Sequence, residues 1–183
     1  MRIFVALNNN KPISMKKIFL LALAAVMAAS AWAQKPSNDE LSTSYNILGV
    51  GYTSETEIGN GAYLQFVSAR KVWDGLCIDL GVNARYTYWD AWGLADMHTM
   101  DARALLGLSY QMHVTEDFAL VPHTGASLGG RFELAEDNGG KNFVFGWDVG
   151  MRLRYKKVAL TYTATIGITK METAHSVGIA YGF

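Results

Sequence analysis

From Leu76 to Trp89 the side chains alternate in character. Leu76, Ile78, Leu80, Val82, Ala84, Tyr86 and Tyr88 are apolar or aromatic, whereas Cys77, Asp79, Gly81, Asn83, Arg85 and Thr87 are small or polar. Successive side chains of a strand point to opposite faces, so this two-residue period predicts a strand with one greasy face. The pattern returns from Met100 to His113, from Asn142 to Tyr155 and from Val158 to Thr169. These runs are roughly twice as long as an average soluble strand. Four weaker runs join them. Tyr45 to Thr53 carries Leu48, Val50 and Tyr52 on one face, and Ala62 to Arg70 is ambiguous in facing. Phe118 to Gly130 contains Pro122, which lacks an amide donor and predicts a bulge or local break. Ala174 to Phe183 alternates to the chain end. Helical spacing is missing throughout. The connections Lys71–Gly75, Val114–Asp117 and Lys156–Lys157 are short, whereas Trp89–Met100 and Arg131–Lys141 are longer.

Alternation alone does not say which face meets solvent. A soluble sandwich or lipocalin turns its apolar residues inward, and a membrane barrel turns them toward lipid. Strand length favours the second arrangement, because runs beyond ten residues cross a ~25 Å apolar band at the usual tilt. The other face is rich in Gly, Ala, Ser and Thr with Asp and Arg interspersed, as a crowded narrow lumen requires. Aromatics also fall at strand ends. Tyr110, Phe118, Tyr155, Tyr181 and Phe183 mark one rim, and Tyr52, Tyr86, Tyr88, Phe143 and Phe145 mark the other. Amphipathic rings suit a membrane interface. The expected fold is therefore all-β: an eight-stranded antiparallel up-and-down transmembrane β-barrel.

Composition narrows this further. The chain has 183 residues, 50% hydrophobic and 17% charged, with 18 Gly and 3 Pro, which excludes a disordered chain. Its 16 basic and 16 acidic residues leave no basic footprint for nucleic acid. Met15-Lys16-Lys17, the apolar run Ile18–Met27 and Ala31-Trp32-Ala33 form a charged n-region, an h-region and an Ala-x-Ala site. That order predicts a secretory signal peptide over 15–33, cleaved after Ala33, with 1–14 as an upstream extension and 34–183 as the barrel. The apolar run is too short to span a membrane as a helix. Cys77, the one cysteine, rules out an internal disulfide and reads as a buried small hydrophobe.

At the chain end, Val177, Ile179, Tyr181 and Phe183 alternate with Gly178, Ala180 and Gly182, and Phe183 is terminal. This stretch resembles the C-terminal assembly signal of bacterial outer-membrane barrels. With the signal peptide and strand count, the mature chain resembles the small eight-stranded outer-membrane barrels of the OmpA/OmpX type. The resemblance implies residence in the bacterial outer membrane and insertion by the barrel assembly machinery. It also implies contact with outer-membrane lipid and lipopolysaccharide. In lipid an open strand edge finds no hydrogen bonds, so the first and last strands must pair.

The inward positions carry Asp79, Arg85, Asp101, Arg103, His123, Arg131, Asp148, Arg152 and Arg154. Ions in a narrow interior need partners. Folding about Asp90–Thr99 is expected to set Arg85 beside Asp101 or Arg103, and pairing across Arg131–Lys141 to set Asp148 opposite His123 or His123's next inward neighbour, with an ion pair between the two expected. The expected role is a side-chain-plugged barrel, structural or surface-interacting, with a narrow pore or a lipid A-modifying enzyme as the rivals. A hydrolase needs a nucleophile with a base in reach. His175 and Ser176 are neighbours on a strand and so face opposite ways. His98 reads as a lone surface histidine in the longest loop. No catalytic set, metal signature or cofactor-binding loop stands out. Loops Trp89–Met97 and Glu133–Asp137 read as an interfacial anchor and a solvated acidic turn.

Overall fold

The structure, a computed structural model, describes residues 44–56, 59–90, 96–134, 141–169 and 172–183. The expected signal peptide, residues 1–14, Trp92 and Asp137 lie outside these. The strands are β1 (Tyr45–Glu55), β2 (Gly59–Lys71), β3 (Leu76–Asp90), β4 (Asp96–Tyr110), β5 (Met112–His113), β6 (Phe118–Glu133), β7 (Lys141–Tyr155), β8 (Val158–Gly167) and β9 (Thr173–Gly182). β5 continues β4 past Gln111 and pairs with the same neighbour, β6. Eight staves result, every neighbouring pair antiparallel, and β1 closes the circle by pairing with both β2 and β9. No edge is left open, which is the condition lipid imposes.

The ladder extends beyond the expected strand ends. Trp89 pairs with Met97 and Asp90 with Asp96, so the connection from β3 to β4 shortens to 91–95. His98 is consequently a strand residue and not a loop residue. Pro122 produces a local break and no bulge. Ladder pairs of β6 with the β4 side stop at Ser109↔His123 and resume at Met112↔Leu120 in unchanged register. The proline has no amide hydrogen to donate across that gap. On its other side β6 pairs with β7 without a slip, from Phe118↔Tyr155 to Phe132↔Lys141.

Facing follows parity. Leu80, Leu106, Leu108, Phe143, Tyr155, Leu160, Ile179 and Tyr181 stand exposed on the outer wall, whereas Asp79, Arg85, Asp101, Arg103, Asp148 and Arg152 are buried inside. β2 turns Tyr63, Gln65, Val67 and Ala69 inward, which settles its ambiguous facing.

The strands are also staggered. From Arg85, register partners run through Asp101 and Arg131 to Asn142 on β7. The other way round, through Tyr63, Gly51, Gly178 and Thr161, they reach Arg152, ten residues further along the same strand. A stagger of ten over eight strands tilts them by about 40°, given ordinary rise and spacing.

Candidate functional site: the barrel interior

Two ends define the interior. The turns 72–75, 114–117 and 156–157 lie at the end where β1 begins and β9 finishes; the other connections lie at the loop end. Near the loop end Arg131 is the hub. Its Nε donates to Asp101 Oδ1 at 2.7 Å, its Nη1 to Glu172 Oε2 at 2.5 Å, and its Nη2 to Glu55 Oε1 and Asp101 Oδ2. Arg103 Nη2 donates to Asp101 Oδ2 at 2.6 Å. Arg85 donates to Thr165 Oγ1 at 2.5 Å. A guanidinium presents five donors in a planar fork, which is why one arginine can gather three carboxylates.

Near the turn end a second cluster forms around Asp79. It accepts from Ser109 Oγ at 2.7 Å and from Arg152 Nη1 at 2.8 Å, and that same nitrogen lies 3.2 Å from Tyr45 Oη. Arg154 donates to Gln111 Oε1 at 2.7 Å and lies 3.7 Å over the Tyr45 ring. Around this cluster Tyr45, Ile47, Val67, Ala69, Cys77, Leu105, Ala159 and Ala180 form a buried apolar core. Sequence reasoning missed Tyr45 and Ile47 as interior residues. Their parity, opposite to Leu48 and Val50, was the available signal.

Glycines make room for the interior rings. A Cβ on Gly150 would stand 2.7 Å from the His123 ring, and one on Gly51 2.7 Å from the Tyr63 ring. Tyr63 Oη in turn meets Thr161 Oγ1 at 2.8 Å.

The structure keeps the expected neighbours but not all of the expected ion pairs. Arg85 is the register partner of Asp101, yet Asp101 forms its ion pairs with Arg103 and Arg131. His123 faces inward opposite Gly150, and its Nε2 meets Thr163 Oγ1 at 3.1 Å. Asp148 lies opposite Gly125, and no ion pair joins it to His123 among the described residues. Gly125 is the next inward neighbour of His123, so the expected register holds in its second form and the expected ion pair does not. Glu55, Glu172 and Tyr45 were not expected in the network at all; the stagger brings them to it from remote strands.

On the outer wall His98 Nδ1 meets Tyr86 Oη at 2.5 Å, and His175 Nδ1 meets Tyr162 Oη at 2.9 Å. Ser54 is the register partner of His175, and no hydrogen bond joins the two among the described residues. Ser176 faces the interior and bonds Thr53. Among the described residues no group of three His, Cys, Asp or Glu side chains is arranged to hold a metal ion.

A closed eight-stranded antiparallel barrel with an apolar outer wall and an ion-paired interior is the architecture of small outer-membrane β-barrel proteins. Solved structures of that class are similar to it. Neisserial surface protein A matches with TM-score 0.58 at 12% identity, covering 78% of this chain and 98% of that one. Ail, the attachment invasion locus protein of Yersinia pestis, solved in complex with the heparin analogue sucrose octasulfate, matches with TM-score 0.52 at 10% identity, covering 76% and 99%. In sequence, the chain matches no family model and no curated protein.

Proposed function

We propose that this protein is a non-conducting, non-enzymatic barrel of the bacterial outer membrane, exported by a signal peptide cleaved after Ala33. Its role is structural or surface-interacting, within lipopolysaccharide and phospholipid, after insertion by the barrel assembly machinery. One observation carries the reading: the interior is occupied at both ends, by the Arg131 ion cluster at the loop end and by the apolar core around Tyr45 and Ile47 at the turn end. An eight-stranded interior has room for little beyond side chains. The apolar outer wall suits lipid, and short turns on one side with longer loops on the other match the periplasmic and extracellular ends of such barrels.

Fractionation of cells producing the chain is the first test, and recovery in outer membranes is expected. Planar-bilayer recording tests closure. The wild type should give no current above the bare bilayer, and stable unitary steps would make it a narrow pore. Unchanged lipid A mass spectra with and without the protein are expected; loss or gain of an acyl chain would make it an enzyme.

A further inference from the structure

The two ends of the interior are closed by different chemistry, and between them lie buried polar atoms that bond no protein group. These are Asn83 Oδ1, Arg85 Nε, Arg103 Nε, Ser127 Oγ and Asp148 Oδ1, all between mid-height and the loop end; His123 Nδ1 and Arg152 Nη2 lie deeper. A buried polar atom without a partner costs about as much as a lost hydrogen bond, so such groups are satisfied by water where there is space. Space of that size exists. A crevice of about 10 Å³, roughly enough for one water molecule, is lined by Glu55, Arg85, Arg103, Thr165 and Glu172, and so reaches Arg85 and Arg103 of that set. The turn-end core offers the opposite environment, since Val67, Ala69 and Cys77 are fully buried and apolar.

The three carboxylates that hold Arg131 also differ. The side chains of Glu55 and Asp101 are each 4% exposed, whereas that of Glu172, just ahead of β9, is 28% exposed. Glu172 can leave the guanidinium for bulk water at small cost. Glu55 would have to be buried unpaired, and Asp101 would be left buried with Arg103 alone. The backbone supports only part of this contact: Glu172 O accepts from Gly167 N at 2.6 Å, which anchors the main chain while the carboxylate remains free to turn away.

We propose that the interior is a blind, hydrated cup, latched at its loop end by the Glu172–Arg131 ion pair and sealed at its turn end by the apolar core. This rests on the plugged-lumen reading and adds its direction and its moving part. Release of Glu172 admits water and small solutes to mid-height from the loop end only. No current accompanies release, because the turn-end seal stays shut.

Thiol labelling in the folded, micelle-bound protein tests this, with heat-modifiable gel mobility confirming the fold of each variant. The reagent is a charged, membrane-impermeant methanethiosulfonate, and the native Cys77 reports on the seal. Ser127→Cys adds a reporter inside the cup, at a hydroxyl that gives up no protein hydrogen bond. Cys77 should remain unlabelled in every folded variant. The introduced thiol should react slowly by itself and about ten-fold faster with Glu172→Ala, the scale on which one charge-assisted hydrogen bond sets an opening equilibrium. Glu55→Gln, which touches the same guanidinium from a buried position, should leave the rate nearly unchanged. The latch is overturned if Glu172→Ala brings no acceleration, or if Glu55→Gln accelerates labelling equally. Labelling of Cys77 in the folded wild type would overturn the seal and the plugged-lumen reading together, whereas failure of the latch leaves that reading standing.

Discussion

At the scale of single residues, the two faces of a strand impose opposite rules. Leu106 is 60% exposed on the outer wall near mid-height. Leu106→Arg is expected to cost roughly 2–4 kcal/mol in a bilayer, measured by reversible urea unfolding in lipid vesicles. Ser109, on the inner face of the same strand, tolerates less than a small lumen residue would, because it donates to Asp79. Ser109→Asn is therefore expected to be destabilising in the same titration. Arginine tolerated at Leu106 as well as at an unbonded inner position such as Ser127 would count against this assignment of the faces. Gly150 makes a sharper case. A methyl there would meet Tyr162 O at 2.1 Å and the His123 ring at 2.7 Å. Gly150→Ala should lower stability by about 1–3 kcal/mol, the usual cost of overpacking, and Gly150→Ala with His123→Ala should recover only the part due to the ring.

At the scale of elements, the seam between β1 and β9 is the step that completes the circle. It is held by a ladder from Ile47↔Gly182 to Glu55↔Ala174. Asn46 N and O also exchange hydrogen bonds with Phe183 O and N at 3.3 and 3.0 Å. The terminal residue is thus a structural member of the seam. Its ring stands 6.4 Å from that of Phe66 on β2, so it packs across three strands. Deleting Phe183, or Phe183→Asp, is expected to reduce the folded fraction, read as loss of the faster-migrating unheated band. Normal heat-modifiability in both variants would count against an assembly role for this residue.

At the scale of the whole molecule, the ion pairs of Arg131 with Glu55 and of Arg152 with Asp79 link strands that are not neighbours, so they report on the closed barrel. Asp79 on β3 holds Arg152 on β7, with side chains 2% and 1% exposed. Asp79→Ala leaves a buried guanidinium without its carboxylate, and breaking such a pair from one side costs about 3–5 kcal/mol. Asp79→Leu with Arg152→Met should be far milder, since replacing both charges by apolar groups is often nearly neutral. Denaturation midpoints of the three proteins check this. A single-variant loss no larger than the double-variant loss would mean that the pair contributes nothing to closure.

Much of this architecture was legible in the chain. Strand number, approximate bounds and the facing of the strong strands all follow from a two-residue period, because a β-strand turns each successive side chain by half a revolution. Even the break at Pro122 is a local property, the loss of one donor. β2 was illegible because Tyr63, Val67 and Phe66 put apolar residues on both of its faces, and only its neighbours in the barrel decide between them.

The interior partnerships that cross the barrel were decided by tertiary structure alone. Hairpin register places Arg85 opposite Asp101, and a reading limited to adjacent strands stops there. The stagger of ten lifts each strand relative to the next, so Arg131 meets Glu55 and Glu172 from across the seam, and Arg152 meets Asp79 across the interior. Arg131 binds its register neighbour Asp101 and also reaches carboxylates far outside its own hairpins, whereas Arg152 finds its carboxylate on a strand it does not pair with. His123 and Asp148 stand one inward position apart in a register the sequence allowed; that step is negligible for the fold and decisive for an ion pair, and His123 meets Thr163 instead. The sequence by itself determined which residues of the strongly alternating strands face inward; closure and stagger, which no single hairpin contains, determined the facing of β2 and which residues touch across the barrel.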